Sequence, residues 1–333
     1  VNGLLEVREA ISKKFKRDNQ LEYSPDQIVI STGAKQSIAN VIMSIVNPGD
    51  EVLLPAPYWV SYAEIVKMVG GVPVDITTTL EQDFKTSAQQ WSDAITDKTK
   101  LIIFSSPCNP SGTVYTKEEM TKFADVLVDH SNVVVVCDEI YEHINFEESH
   151  YSLASDQRVY DQVVTVNGVS KGFAMTGWRL GYIGAPLWLA KACTKIQGQI
   201  TSGASAISQM AAKAAVEADP SSVAYMKEEF LKRRDYVLGR LGAMKGIEVN
   251  LPMGAFYVFA NVRELLKSTY PGGSINTSDD LAMYFLNHAH VAVVAGSSFG
   301  TPEGIRISYA ASLEDLEKAM NRLENAIEKI TKN

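Results

Sequence analysis

Apolar and polar positions along the chain fall into two periods. Leu4, Leu5, Val7, Ala10, Ile11 and Phe15 recur at helical spacing, so a helix is predicted within a few residues of Val1. Beyond it, short apolar runs alternate with longer amphipathic stretches. The runs at 28–30, 51–55, 72–76, 101–104, 133–136, 163–166 and 180–183 read as strands. Helices are predicted between them at 38–46, 61–68 and 116–129, the last with Thr116 as N-cap and Glu119 in the capping-box position. This alternation predicts an α/β fold with a mostly parallel, seven-stranded central sheet sandwiched by helices. After residue 187 the texture changes. Helices are predicted at 187–200, 202–217 and 223–244, strands at 256–260, 291–294 and 305–309, and a final helix at 313–330. That is a smaller α+β unit. No linker marks the junction, which is expected inside the long helix near Lys232: a large domain over 1–231 and a small one over 232–333.

Candidate chemistry collects at the ends of the predicted strands, where open α/β sheets bind ligands. The run 163–166 leads into Gly168-Val169-Ser170-Lys171-Gly172-Phe173-Ala174-Met175-Thr176-Gly177-Trp178-Arg179-Leu180-Gly181. Phe173, Met175 and Trp178 are expected to keep water from Lys171. A desolvated amine loses proton affinity and becomes a candidate Schiff-base nucleophile. Arg179, eight residues on, can grip a phosphate through its planar fork. Gly33-Ala34-Lys35 lies between a strand and a helix start, which is an anion site or a simple capped helix. It is not a P-loop, because Ile28 stands where the first glycine would be and Ala34 follows Gly33. Asn109 precedes Pro110, which holds it out of helix and leaves its amide free to face a crevice. Asp138 ends a buried run, so it is expected to need a cationic partner, and a structural salt bridge competes with a functional one.

Composition narrows the classes. The formal charge of −8 gives no basic footprint for nucleic acid. Cys108, Cys137 and Cys193 are too far apart for a zinc site and read as free thiols in a reducing compartment, so no metal is expected. No apolar run reaches the length of a membrane span.

The order and spacing of these motifs resemble the class I and II aminotransferases of fold type I, enzymes that use pyridoxal 5'-phosphate. The resemblance runs over essentially the whole chain and implies the following roles. Lys171 bonds the cofactor and later shuttles a proton. Arg179, Ser170 and the backbone of Gly33 and Ala34 hold its phosphate. Asp138 pairs with the pyridine nitrogen. Tyr141 and Asn109 hydrogen-bond the phenolic oxygen, and Trp59 stacks on the ring. Arg306 clamps the substrate α-carboxylate. Lys35 stands either at a distal substrate carboxylate or in the phosphate shell. One departure is visible: the family often carries serine three residues before the lysine, and here that residue is Gly168. The resemblance also implies a homodimer with shared active sites. It further implies a preceding segment that completes the small domain and covers the substrate; that segment is expected to be mobile.

The leading expectation is therefore transamination in the cytoplasm between an amino acid, aspartate first, and a 2-oxo acid such as 2-oxoglutarate. Aromatic, prephenate or kynurenine substrates on the same scaffold are the enzyme alternatives. An effector-sensing domain of a transcription regulator is the alternative from another class.

Overall fold

The computed structural model describes residues 1–147 and 149–332. Strands β1 (Ile28–Ser31), β2 (Glu51–Pro55), β3 (Val72–Ile76), β4 (Thr99–Ser105), β5 (Val134–Asp138), β6 (Val163–Gly168) and β7 (Gly181–Gly184) form one sheet, in the order β1-β7-β6-β5-β4-β2-β3. Neighbours from β3 to β6 pair in parallel, while β7 runs antiparallel to both β6 and β1. The reversed strand has a consequence for the site. It brings the start of β7, Gly181, beside Gly168 at the end of β6 and Ser31 at the end of β1. Ser105 pairs with Asp138 at the same edge. All the candidate loops therefore leave the sheet on one side.

Both faces of the sheet are buried, which is why the strands are apolar throughout. Along β4, Ile102 and Phe104 join one apolar cluster and Leu101 and Ile103 the other, as the two-residue side-chain period requires. Helices α1 (Leu5–Lys14), α2 (Ala34–Ile45), α3 (Ser61–Met68), α4 (Ala88–Ala94), α5 (Lys117–Val128), α6 (Leu187–Ile200) and α7 (Ala206–Glu217) cover the two faces. Residues of α1, α5 and α7 fill the first cluster, and residues of α2, α3 and α6 the second. Thr116 caps α5 in a capping box with Glu119, as its sequence predicts.

The rest of the chain runs through α8 (Ala224–Leu241), β8 (Glu248–Val249), β9 (Tyr257–Asn261), β10 (Ser268–Tyr270), β11 (Gly273–Ile275), α9 (Ser278–Tyr284), β12 (Val294–Ala295), β13 (Gly304–Ser308), α10 (Leu313–Ile327) and β14 (Thr331–Lys332). It builds a four-stranded antiparallel sheet, β12-β13-β9-β8, and a three-stranded one, β11-β10-β14. A separate apolar cluster spans Val237 to Ile327.

Several predicted boundaries shift for local reasons. The helix expected from 38 begins at Ala34, because Gly33, at φ +87°, turns the chain into it. The helix expected from 202 begins at Ala206. The strand expected at 291–294 shrinks to Val294–Ala295, because a wide helical turn over Phe285–Ala289 ends only at the left-handed His290. Between it and the next strand lies a 3-10 turn, Gly296–Phe299. Helices α4 and α9 have no strong apolar period and went unpredicted, yet each starts on a capping box, at Ser87 and Thr277. The three cysteines are buried and unpaired. Among the described residues, no helix is long and apolar enough to cross a membrane.

The approach of β7 to α2 is the tightest packing near the site. A Cβ on Gly181 would lie 2.2 Å from the Ala34 nitrogen, so only glycine fits. Gly181→Ala should destabilise the protein by about 2–4 kcal/mol in urea unfolding. Gly177→Ala, whose added Cβ would meet nothing within 4 Å, should change stability by less than about 0.5 kcal/mol.

Candidate active site

The loops at the sheet edge and the first strands of the small sheet enclose a cleft of about 390 Å³. Its wall includes Ala34, Lys35, Trp59, Asn109, Asp138, Tyr141, Ser170, Lys171, Arg179 and Arg306, and Gly33 lies directly behind Arg179. Every residue proposed from sequence to meet the cofactor or substrate is thus gathered at one site.

One end of the cleft suits an anion. Helix α2 starts without a side-chain cap, and the N–H groups of Ala34 and Lys35 have no backbone partner among the described residues. Arg179 adopts the left-handed conformation, φ +51°, and its Nη1 donates to the Thr176 carbonyl at 3.0 Å. This turns its guanidinium onto Gly33, where an added Cβ would lie 2.5 Å from Nη2. Glycine thus leaves a cradle that any side chain would fill. Arg179 has no acidic partner among the described residues. Ser170 is buried beside the cradle. The departure at Gly168 has a steric cause here: a Cβ there would lie 2.9 Å from both the Gly181 Cα and the Leu180 carbonyl.

At the other end sits Asp138, 5% exposed at the C-terminus of β5. The structural salt bridge that competed with a functional pairing is absent: Asp138 has no ion-pair partner among the described residues. It accepts hydrogen bonds from the Tyr62 hydroxyl at 2.8 Å and the Ile140 N–H at 3.2 Å. Burial pushes its carboxyl up to about 6, against the opposing pull of those two bonds. A buried carboxylate with two donors and no cation is poised for a cationic N–H from a ligand.

Lys171 is half-buried, with its Nζ 5.3 Å from the centre of the Phe256 ring and 5.7 Å from that of Tyr141. Burial lowers its pKa from the ordinary lysine value, and Arg306 and Arg179 add to the effect against the pull of Asp138. The water-excluding residues differ in part from those expected. Phe173 and Met175 are partly buried, but Trp178 is 45% exposed and faces away from the apolar cluster. The loop is tight beneath the lysine: a Cβ on Gly172 would lie 2.7 Å from the His143 ring.

Arg306 comes from β13. Its guanidinium packs over the rings of Tyr257 and Phe299, 4.5 and 5.0 Å from their centres. Nη1 donates to the Asn109 Oδ1 at 2.9 Å, and the buried Nε has no protein partner. A half-buried arginine with a buried, unpartnered Nε and no carboxylate within ion-pair distance among the described residues calls for an anionic ligand. Lys35 Nζ stands 4.9 Å over the Trp59 ring.

Sequence reasoning missed Tyr62, Tyr257 and Ser105, which all line the cleft. It also missed a polar cluster behind the sheet edge. Buried Lys14 pairs with Glu142, and His150 Nε2 lies 2.8 Å from Glu139 Oε2. Burial alone would raise Glu142, but Lys14, His143 and His150 outweigh it and hold the carboxyl at about 2. The signal lay in Asp138-Glu139-Ile140-Tyr141-Glu142-His143, whose adjacent acids cannot all reach solvent from a buried strand end.

An amine of lowered pKa, an unpaired buried carboxylate, hydroxyl and amide groups and an empty-handed anion cradle match the functional groups of pyridoxal phosphate in kind. The class defined by this fold and cleft is that of pyridoxal-phosphate enzymes with a large α/β sheet. Comparison with known proteins narrows it. Residues 1–323 match the family model "Aminotransferase class I and II". The chain is 46% identical to a bifunctional aspartate aminotransferase and glutamate/aspartate-prephenate aminotransferase of Petunia hybrida, over 98% of this chain and 69% of the relative. The solved aspartate aminotransferase of Rhizobium meliloti superimposes with a TM-score of 0.95 at 40% identity, covering 99% of this chain and 83% of that one. The aromatic aminotransferase of Pyrococcus horikoshii OT3 follows with a TM-score of 0.91 at 39% identity, over 98% and 86%. The chain belongs to the class I and II aminotransferase family and is a pyridoxal-phosphate-dependent aminotransferase.

The Asp138 environment makes a stability prediction for the cofactor-free protein. The folded state keeps this proton up to about pH 6, whereas the unfolded chain gives it up near pH 4. The group's contribution to stability is therefore full below pH 4 and lost as pH rises to about 6, by about 3 kcal/mol. Urea unfolding at a series of pH values should show that fall in the wild type beyond any seen in Asp138→Asn. Parallel profiles would mean that the carboxyl is not desolvated.

Proposed function

We propose that this aminotransferase moves the amino group of a dicarboxylic amino acid, aspartate first, to a 2-oxo acid such as 2-oxoglutarate. The observation that carries the substrate class is Lys35. Its ammonium stands over Trp59 on the wall of the cleft, and no acidic side chain lies within ion-pair distance among the described residues. A second substrate carboxylate would supply the missing charge. Relatives named for aspartate and prephenate support this reading, and prephenate too carries a second carboxylate.

Roles follow from the contacts. Pyridoxal phosphate, when bound, supplies the electron sink that makes the substrate α-proton acidic. Lys171 Nζ attaches it and, with its pKa lowered by burial, gives up its own proton more readily than an ordinary lysine, which suits it to take the substrate's. Asp138 holds a proton at the ring nitrogen. Arg179, Ser170 and the N–H groups of Ala34 and Lys35 bind the phosphate, while the Gly33 N–H is engaged by the Ser31 carbonyl and Gly33 contributes the space beside Arg179. Arg306 donates to the Asn109 Oδ1, which leaves the amide Nδ2 as the group that donates to the phenolic oxygen alongside Tyr141. Trp59 covers the ring, and Arg306 binds the α-carboxylate.

Three wider points belong to the same reading. A homodimer with shared sites is supported by exposed Trp178, Trp188, Ile207 and Met210. A cytoplasmic setting is supported by the free thiols. A division into 1–231 and 232–333 is supported by the separate apolar clusters.

Two variants test the function. Lys171→Ala should abolish steady turnover and the visible absorbance of the loaded enzyme while leaving some cofactor bound through Arg179 and Asp138. Near-normal turnover would remove Lys171 from its role. Lys35→Ala should cost aspartate and glutamate about tenfold or more in kcat/KM relative to alanine and phenylalanine. An equal loss for all donors would move Lys35 to the phosphate shell.

A further inference from the structure

Tyr257 touches two functional groups at once, and no role above accounts for it. It lies on β9 two residues before Phe259, the register partner of Arg306 on β13. Tyr257, Phe259 and Arg306 therefore share one face of the small sheet, and Tyr257 is the diagonal neighbour of the arginine. The Arg306 guanidinium lies 4.5 Å from the centre of the Tyr257 ring and 5.0 Å from that of Phe299. The same side chain points its hydroxyl at Tyr141, with an O–O distance of 3.0 Å. Both tyrosines are buried. Beyond Tyr141 lies the Lys171 ammonium, and Phe256 packs against both tyrosine rings.

We infer that Tyr257 is a positioning residue: its hydroxyl donates to Tyr141 and so aims the single Tyr141 proton into the cleft, while its ring fixes the plane of Arg306. The reasoning is a proton count. Each phenol has one proton to give. If Tyr141 donated to Tyr257, it would have none left for an acceptor in the cleft. With Tyr257 as donor, the Tyr141 proton is free to point at the cofactor's phenolic oxygen. The ring acts separately. A guanidinium packed over aromatic rings keeps its edge, and not its face, toward a carboxylate. The inference rests on the cofactor site proposed above.

Two substitutions in the holoenzyme separate the two contacts. Tyr257→Phe keeps the ring and loses the hydroxyl. The pH midpoint of the holoenzyme's visible absorbance should rise by about half a unit, because the phenolic oxygen loses part of its hydrogen-bond support. KM for the best amino donor should stay within about twofold. Tyr257→Leu loses the ring as well, and KM should rise about tenfold. An unmoved midpoint in Tyr257→Phe beside a normal wild-type titration overturns the inference alone. A normal KM in Tyr257→Leu overturns its second half. A wild-type holoenzyme with no titrating visible band overturns the cofactor reading, and this inference with it. Tyr257→Phe preserves the packing, so its midpoint decides the matter should the leucine variant not fold.

Discussion

The site depends on a buried carboxylate that is one positive charge short. Asp138 ends a strand with both faces covered, so water cannot solvate it. Among the described residues it meets a phenol and a backbone N–H but no cation within ion-pair distance. Burying a carboxylate that way costs free energy unless a cation completes the set. The cost shows as a carboxyl pushed up to about 6. A ligand with a cationic ring N–H relieves the shortage, so binding strength and electronic control of the ring come from one interaction.

The strand end that carries Asp138 is held from behind by charge as well as by packing. Glu139 is tied to His150 and Ser152, and Glu142 to Lys14 and Asn19. Buried ion pairs of this kind are weak evidence for stability, because desolvation offsets much of their attraction. Their clearer effect is geometric. They fix the turn that presents Asp138 and Tyr141, and His143 from the same turn packs directly under Gly172 beside the lysine. Polar contacts also join the two units across the cleft. Arg306 donates to Asn109, Tyr257 meets Tyr141, and the backbone of 253–255 bonds to Gly112 and Ile144. Arg306 and the groups around Lys171 are thus held in one frame.

Most of the fold, and most of the residues that line the cleft, were legible in sequence. The alternation of apolar runs with amphipathic stretches determined the large sheet, because strands buried on both faces must be apolar and their crossovers must be amphipathic. Lys171, Arg179, Asp138, Asn109 and Arg306 stood out because each is a polar or charged residue beside a buried segment, in an order shared with one family. The elements that went unseen, α4, α9 and the small strands, have short or irregular apolar patterns and are held by caps and tertiary contacts.

What only the tertiary structure decided are pairings between residues far apart in the chain. The partner of Asp138 is a hydroxyl from α3 and not the cation its burial suggested, since only the folded packing sets which donor reaches it. Gly168 cannot carry serine because β7 crosses within contact of it, and the direction of β7 is not encoded in its own four residues. Trp178 reads as an apolar residue of the loop, yet it faces outward, because side-chain direction in an irregular turn follows no period. Tyr257 looks like any strand residue until β9 and β13 pair and bring its ring to Arg306 and its hydroxyl to Tyr141. Local sequence sets the period and the ends of elements. Which groups share a desolvated pocket is set by long-range register.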